Sequence, residues 1–348
     1  MRIQENVPLA PFTTLGVGGP ARYFTEAETE ADVRDALDFA HTHKLPLFIL
    51  GGGSNLVVAD AGFPGVVLRI AIKGMDESDD GRRRLFQAGA GEDWDAFAAR
   101  AVAQNCAGVE CLSGIPGTVG ATPVQNVGAY GQEVAETITN LYALDLETGE
   151  VNEFTNEACG FAYRTSIFNT VARSRFIILG VRFSLEKNGA PKIEYRDIKN
   201  HFAERTGTPS LAEVREAVRH IRHSKAMLIV EGDEDCRSAG SFFKNPVVVQ
   251  DKFAEVSAAA EKRGLRVPSF PALNGDVKIP AAWLVEQSGL PKGTSRGAVG
   301  ISRRHALAIV NRGGATATDV VALKNEIQSA VRSHFGIDLH PEPVFVGF

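Results

Sequence analysis

The chain has 348 residues, 44% of them hydrophobic and 23% charged, with a net charge of −5. That length exceeds one ordinary core and predicts two or three lobes. No concentrated basic face occurs, which argues against a nucleic-acid groove and leaves any anionic ligand to a few local arginines and lysines. No run reaches the ~18 apolar residues of a membrane span, and the N-terminus, MRIQENVPLAPFTTLG, lacks the ~7–15-residue apolar core of a signal peptide. A cytoplasmic chain with no membrane partner is expected. Cys106, Cys111, Cys159 and Cys236 lack metal-site spacing, and no CxxC or HExxH occurs, so free thiols and no metal site are expected.

The first segment alternates helix and strand. Val33, Ala36, Leu37 and Ala40 have a helical period within Glu28–His43, with Thr29 as a cap. Leu47–Leu50 reads as a short strand running into Gly51-Gly52-Gly53, and Val66–Leu68 as another. Asp76–Arg84 is polar and is assigned to a loop or hairpin boundary. Phe86–Gly91 then reads as a strand ending in a turn, and Asp93–Gln104 as an amphipathic helix through Trp94, Phe97, Ala98, Ala101 and Val102. Residues 113–131 are too glycine-broken for regular structure.

Leu141–Leu146 and Val151–Phe154 form a hairpin across Glu147-Thr148-Gly149-Glu150. Phe176–Leu185 is a further strand. Ser210–Arg222 is a helix opened by a capping box of Ser210 and Glu213. Beyond about Ala226, helices are expected at Gln250–Arg263, Ala281–Ser288 and Thr318–Phe335, with strands at Ala306–Val310 and Val344–Val346.

Several segments carry chemistry. Gly51-Gly52-Gly53-Ser54-Asn55, directly after a strand, is the kind of turn that offers free amides to a pyrophosphate, with Ser54 as an added donor; a tight turn without a ligand explains it as well. Gly16-Val17-Gly18-Gly19-Pro20-Ala21 fits GxGxxA, but no strand precedes it and Pro20 occupies the helix entry, so a Rossmann reading is rejected. Gly114-Ile115-Pro116-Gly117-Thr118-Val119-Gly120 forms a stiff, partly apolar loop suited to a planar ring. Ser238-Ala239-Gly240-Ser241-Phe242-Phe243-Lys244-Asn245-Pro246 places a serine hydroxyl against an apolar wall, beside a charge and an amide. A buried turn accounts for that stretch equally.

These segments, with Gln125-Asn126-Val127-Gly128-Ala129-Tyr130-Gly131, Phe161-Ala162-Tyr163-Arg164-Thr165-Ser166 and Pro341-Glu342, occur in an order and spacing that resemble the UDP-N-acetylenolpyruvoylglucosamine reductase family, over nearly the whole chain from about Thr13 to Phe348. The resemblance implies an α+β fold: a two-lobed FAD-binding fold of the vanillyl-alcohol oxidase and p-cresol methylhydroxylase type, plus a C-terminal α+β substrate-binding domain. The lobes are expected at 1–75 and 76–225 and the substrate domain at 226–336, with the C-terminal strand at about 337–348 returning to the second lobe.

FAD is expected to bind non-covalently, because the first glycine loop holds Ser54 and no histidine. Its contacts are assigned to Gly51, Gly52, Gly53, Ser54, Asn55, Gly114, Ile115, Pro116, Gly117, Gly120 and Tyr163. The implied reaction takes hydride from NADPH through FAD to an enolpyruvyl UDP-sugar. Arg164 is the implied carboxylate clamp, Ser241 the proton donor, and Glu342 a group that orients the enolate end. Tyr130, Tyr195, Lys225, Asn245 and His305 are implied substrate contacts, and Tyr195 points to the longer subtype with a tyrosine loop. Ala162 and Thr165 stand where the resemblance implies Gly and Asp, and the stretch after Lys225 is longer and more acidic than it implies. A monomer is expected. Two rival readings are an FAD-dependent oxidase of the same fold and an inactive UDP-sugar-binding protein.

Overall fold

A computed structural model describes all residues, Met1–Phe348. The chain divides into two compact units. One comprises Met1–Val7, Ala21–Gly53 and Pro64–Ser224, and the other Pro8–Pro20, Ser54–Phe63 and Lys225–Phe348.

The first unit is built on two sheets. In the smaller, the order is Gln4–Pro8, Pro20–Ala27, Phe63–Ile70, Leu47–Leu50, with the last two parallel. Pro20–Ala27 escaped the sequence reading because its residues show no clean apolar alternation. Helix α1, Glu30–Thr42, starts at Thr29, whose hydroxyl accepts from the Asp32 amide in a capping box. The larger sheet is antiparallel and orders Val151–Thr155, Ile138–Asp145, Phe176–Lys187, Arg83–Gly89 and Met75–Asp80. Asp76–Arg84, expected as a loop or hairpin boundary, contains a hairpin turn at Gly81-Arg82, with strand on both sides of it. Its polar residues are held by cross-strand charge: Asp79 faces Arg84 in register and accepts from its Nε at 2.8 Å.

Helix α2, Trp94–Ala103, lies over this sheet, with Asp93 capping it through the Ala96 amide at 2.8 Å. Its spacing of Trp94, Phe97, Ala98 and Ala101 buries one face. The rings of Phe97 and Phe183 lie 4.6 Å apart, and Phe86 meets Phe97 edge-on at 5.7 Å. Helix α3, Arg196–His201, follows Tyr195, and helix α4, Leu211–Ser224, closes the unit.

The second unit holds helices α5 (Gln250–Glu261), α6 (Ala281–Gln287) and α7 (Ala317–Phe335). These accompany an antiparallel sheet of Ser295–Arg296, Val299–Ile301 and Ile309–Asn311. Val320, Leu323, Ile327, Val331 and Phe335 of α7 bury one stripe, and Gly336 ends the helix at φ 59°. Asp60 accepts from the amides of Ala317 and Thr318 at 2.7 and 2.9 Å, so a carboxylate meets the positive end of α7. The strand expected over Ala306–Val310 covers only Ile309–Asn311, because Ala308 turns back to donate to the His305 carbonyl at 3.2 Å. Val344–Val346 runs parallel to Leu56–Val58 and pairs with no strand of 76–225.

The rejected glycine motif has a packing role. A Cβ at Gly19 would stand 2.0 Å from the Asp60 carbonyl oxygen, and Pro20 opens a strand where a dinucleotide fingerprint needs a helix. All four cysteines are buried and free. No helix is long and apolar enough to cross a membrane.

Candidate active site

In the first unit the two glycine segments meet backbone to backbone. A Cβ on Gly52 would lie 2.5 Å from Gly117 Cα, and one on Gly51 3.2 Å from Thr118 Oγ1. Only a residue without a side chain permits such an approach. Helix α2 fixes the second segment: the Trp94 amide donates to the Gly117 carbonyl at 3.1 Å, and the indole Nε1 donates to that of Leu112 at 3.0 Å. Gly114 is held on both sides. Its amide donates to Asp95 Oδ1 at 2.6 Å, and its carbonyl accepts from Arg222 Nε at 3.1 Å.

Arg222 is a site residue that sequence reasoning missed. It is 6% exposed, within α4, and it also donates to the Tyr130 hydroxyl. Burial pushes the Tyr130 phenol up to about 12, against the opposing pull of the Arg222 charge. Tyr130 adopts φ 50°, a left-handed conformation rare for a bulky residue. Its ring meets that of Tyr195 edge-on, with centroids 5.4 Å apart at 88°. The signal available for Arg222 was the spacing Arg215, Arg219, Arg222, which puts three guanidinium groups on one helix face.

Arg164 occupies a tight turn. Ala162 and Thr165 exchange amide and carbonyl at 3.0 Å each way, leaving Tyr163 and Arg164 at the tip, with Arg164 at φ 55°. Asn169 Nδ2 holds the Arg164 carbonyl at 3.1 Å. Asn126 is buried and joins this turn to the next segment, donating to the Ala162 carbonyl at 3.0 Å and to Glu133 at 2.7 Å. The guanidinium comes up to Gly128, where an added Cβ would lie 3.6 Å from Nη1. Asn126, Tyr130 and Arg164 are all left-handed non-glycine residues, a backbone cost of the kind that clusters at functional sites. Tyr163 is 52% exposed, with the Arg164 guanidinium 5.8 Å from its ring centroid.

In the second unit Ser241 and Glu342 lie on adjacent extended segments. Phe243 bridges Pro341 antiparallel, Lys244 donates to the His340 carbonyl at 3.0 Å, and Glu342 donates to that of Phe242 at 2.9 Å. Phe242 and Phe243 are fully buried and anchor the serine segment, while Ser241 and Glu342 are half-buried. Asn55 joins them, since its Nδ2 reaches the Glu342 carbonyl at 3.3 Å and its own carbonyl accepts from Val344 at 2.9 Å. Thr14, unremarked in the sequence, donates to the carbonyls of Ser238 at 2.7 Å and Ser54 at 3.4 Å.

Two expected substrate contacts have structural duties here. Asn245 Oδ1 accepts the Ala281 amide at 2.9 Å and so caps α6. His305 Nδ1 accepts the Leu307 amide at 3.1 Å. Lys225 is half-buried just past the end of α4. The acidic stretch after it turns inward: Asp235 accepts from Ser302 Oγ at 2.5 Å and from the Arg303 amide at 2.9 Å, and Asp233 pairs with Arg304.

The first unit fits a flavin dinucleotide. Its glycine segments expose main chain, and Ser113 Oγ, beside Gly114, is buried with no hydrogen-bond partner in the chain. Residues 21–155 match the model of an FAD binding domain, and residues 232–346 match that of the UDP-N-acetylenolpyruvoylglucosamine reductase C-terminal domain. The reductase of Thermobifida fusca is 45% identical over 351 residues, covering 99% of this chain and 98% of that protein. The chain belongs to the UDP-N-acetylenolpyruvoylglucosamine reductase family. A member from Pseudomonas fluorescens is 39% identical over 99% of this chain and 98% of its own. The crystal structure of the Thermus caldophilus reductase superposes with a TM-score of 0.69 at 26% identity, covering 99% of both chains. The expected fold class holds: an FAD-binding domain joined to a C-terminal domain, in an oxidoreductase of the reductase family.

Proposed function

We propose that the chain reduces UDP-N-acetylglucosamine enolpyruvate to UDP-N-acetylmuramate in peptidoglycan precursor synthesis, with NADPH as the electron source. The observation that carries this reading is the hydrogen bond from the Glu342 amide to the Phe242 carbonyl at 2.9 Å, which brings the glutamate segment alongside Ser241 in a chain of this family. FAD, when bound, supplies a hydride taken from NADPH to the terminal carbon of the enolpyruvyl double bond. The protein then has two tasks, to hold the charge that develops toward the carboxylate and to protonate the neighbouring carbon.

Arg164 takes the first task. Its planar, permanently charged fork matches a carboxylate, and the turn that bears it fixes its main chain before substrate arrives. Ser241 takes the second, giving the Oγ proton to the carbon next to the carboxylate. Glu342 orients that end of the substrate and shares the proton with Ser241. Gly51, Gly52, Gly53, Ser54 and Asn55 are assigned to the pyrophosphate of FAD. Gly114, Ile115, Pro116, Gly117 and Gly120, with Tyr163, are assigned to the ring side. Tyr130, Tyr195, Lys225, Asn245 and His305 are assigned to the UDP-sugar, Asn245 through Nδ2, since Oδ1 is taken by the α6 cap. The FAD is non-covalent and the protein a cytoplasmic monomer in this reading.

The test is an anaerobic titration of the purified protein. A flavin band that bleaches with NADPH and returns on adding UDP-N-acetylglucosamine enolpyruvate supports the reading. Return only on adding oxygen replaces it with an oxidase. A protein that binds the UDP-sugar but takes up no FAD replaces it with a silent binder.

A further inference from the structure

We propose that Asp95 is a positioning residue for the flavin site. Its carboxylate fixes the Gly114 peptide and offsets two arginines of α4, so that the loop faces the flavin in one orientation and at a set charge. The proposal rests on reading Gly114–Gly120 as the segment that meets the flavin ring.

The geometry is dense around one side chain. Asp95 Oδ1 accepts the Gly114 amide at 2.6 Å and Arg215 Nη1 at 2.6 Å, while Oδ2 accepts Arg215 Nη2 at 3.0 Å and Arg219 Nη1 at 2.6 Å. Arg215 is 14% exposed and Asp95 26% at their side chains, so solvent screens these contacts only in part. Burial raises the Asp95 carboxyl, but the hydrogen bonds of Arg215 and Gly114 and the two arginine charges outweigh it, and the group ends below its ordinary range. It therefore stays ionised at neutral pH.

The next guanidinium on the same face, Arg222, holds the following peptide, through the Gly114 carbonyl at 3.1 Å. Three arginines of α4 thus bear on Gly114, Arg222 directly and Arg215 and Arg219 through the one carboxylate of Asp95. Without that carboxylate, Arg215, 14% exposed, and Arg219, 33% exposed, would both lose their partner, and the Gly114 amide would lose its acceptor. The neighbouring residues Ile115 and Pro116 have little freedom of their own, because Gly117 is pinned by the Trp94 amide. An error at Gly114 would therefore be passed along the loop rather than absorbed by it.

Two substitutions separate anchoring from charge. In Asp95→Asn, the amide oxygen still accepts from Gly114 while the negative charge is gone. FAD affinity should stay within about threefold, and the flavin midpoint potential should move to more positive values, because a reduced, anionic flavin gains from unanswered arginines. In Asp95→Ala both functions are lost, and FAD affinity should fall by at least about tenfold, the scale of one hydrogen bond to a charged group. The visible flavin spectrum should change as well. The unfolding temperature of the apoprotein is measured for each variant, and Asp95→Asn keeps the test open if Asp95→Ala does not fold.

Ile115→Ala, on the loop but outside the carboxylate network, tests the underlying reading. If Ile115→Ala perturbs the flavin spectrum while both Asp95 variants leave affinity, spectrum and potential at wild-type values, the role of Asp95 is overturned and the loop reading stands. If neither residue affects the flavin, the loop does not meet the ring and the proposal falls with it.

Discussion

Glu342 gives its amide to the carbonyl of Phe242 at 2.9 Å, tying the last seven residues of the chain, Glu342–Phe348, to the residue that follows Ser241. Proline on each side, Pro341 and Pro343, holds Glu342 in an extended conformation, and the buried pair Phe242–Phe243 holds the serine. The main chain, more than any side-chain contact, sets their neighbourhood. Ser241→Ala removes a hydroxyl without disturbing that frame. NADPH should still bleach the flavin at the wild-type rate, and reoxidation by the enolpyruvyl sugar should slow by about 10²–10⁴-fold, the usual scale of positioned proton transfer. Stopped-flow absorbance on the two half-reactions decides this. A slow first half-reaction would remove Ser241 from the proton-donor role.

Arg164 sits at φ 55° at the tip of a turn closed by Ala162 and Thr165. Because its backbone is held by main-chain hydrogen bonds, Arg164→Ala should fold and retain FAD. Loss of a charge-stabilising group in a catalytic site typically costs about 10²–10³ in kcat, and steady-state turnover should fall at least that far. Arg164→Lys should recover little, because an ammonium cannot present the planar fork. Turnover surviving within about tenfold in the alanine variant would place the carboxylate clamp elsewhere.

Gly52 has no room for a side chain, since a Cβ would lie 2.5 Å from Gly117 Cα. Gly52→Ala should push the two glycine segments apart and weaken FAD binding by at least about tenfold, about 1.4 kcal/mol. Fluorescence titration of the apoprotein with FAD reads the effect directly. Unchanged affinity would mean that the approach of Gly52 to Gly117 serves packing alone.

The features legible in the sequence were those with a local cause. Gly51-Gly52-Gly53 after an apolar strand, the capping residues Thr29 and Ser210, and the hydrophobic periods of α2 and α7 each lie within a few residues of the structure they specify. Met75–Asp80 was not legible, because a strand with almost no apolar residues depends on Arg83 and Arg84 across the hairpin. The contacts of Arg222 and Asp95 with Gly114 were illegible for a related reason. A buried arginine bonded to Gly114 has the same local sequence as a solvated one, and only the fold brings α4 to that loop. Asn245 shows the reverse: its neighbours suggested a ligand contact, while part of its side chain caps α6.

Helix α4, which carries Arg222, begins at an acid-sensitive cap. Glu213 accepts from Arg205 at 2.5 and 3.0 Å and from the Ser210 amide and hydroxyl at 2.8 Å each. The Arg205 guanidinium, followed by the Ser210 donors, lowers its carboxyl from 4.5 to about 2. A carboxyl depressed in the folded state contributes stability that is fully present above its unfolded value and is lost as pH falls through the folded one. The contribution of Glu213 is therefore intact above about pH 4.5 and disappears toward pH 2. Asp79, lowered to about 2 by Arg84 and Lys187, titrates in the same window, so the informative quantity is the difference between proteins. Glu213→Gln should destabilise the fold at neutral pH by a small amount, as expected of an exposed pair. Its unfolding temperature should converge on that of the wild type as pH falls from 4.5 to 2. Parallel curves with a constant offset across that window would show that Glu213 acts through packing rather than through its charge.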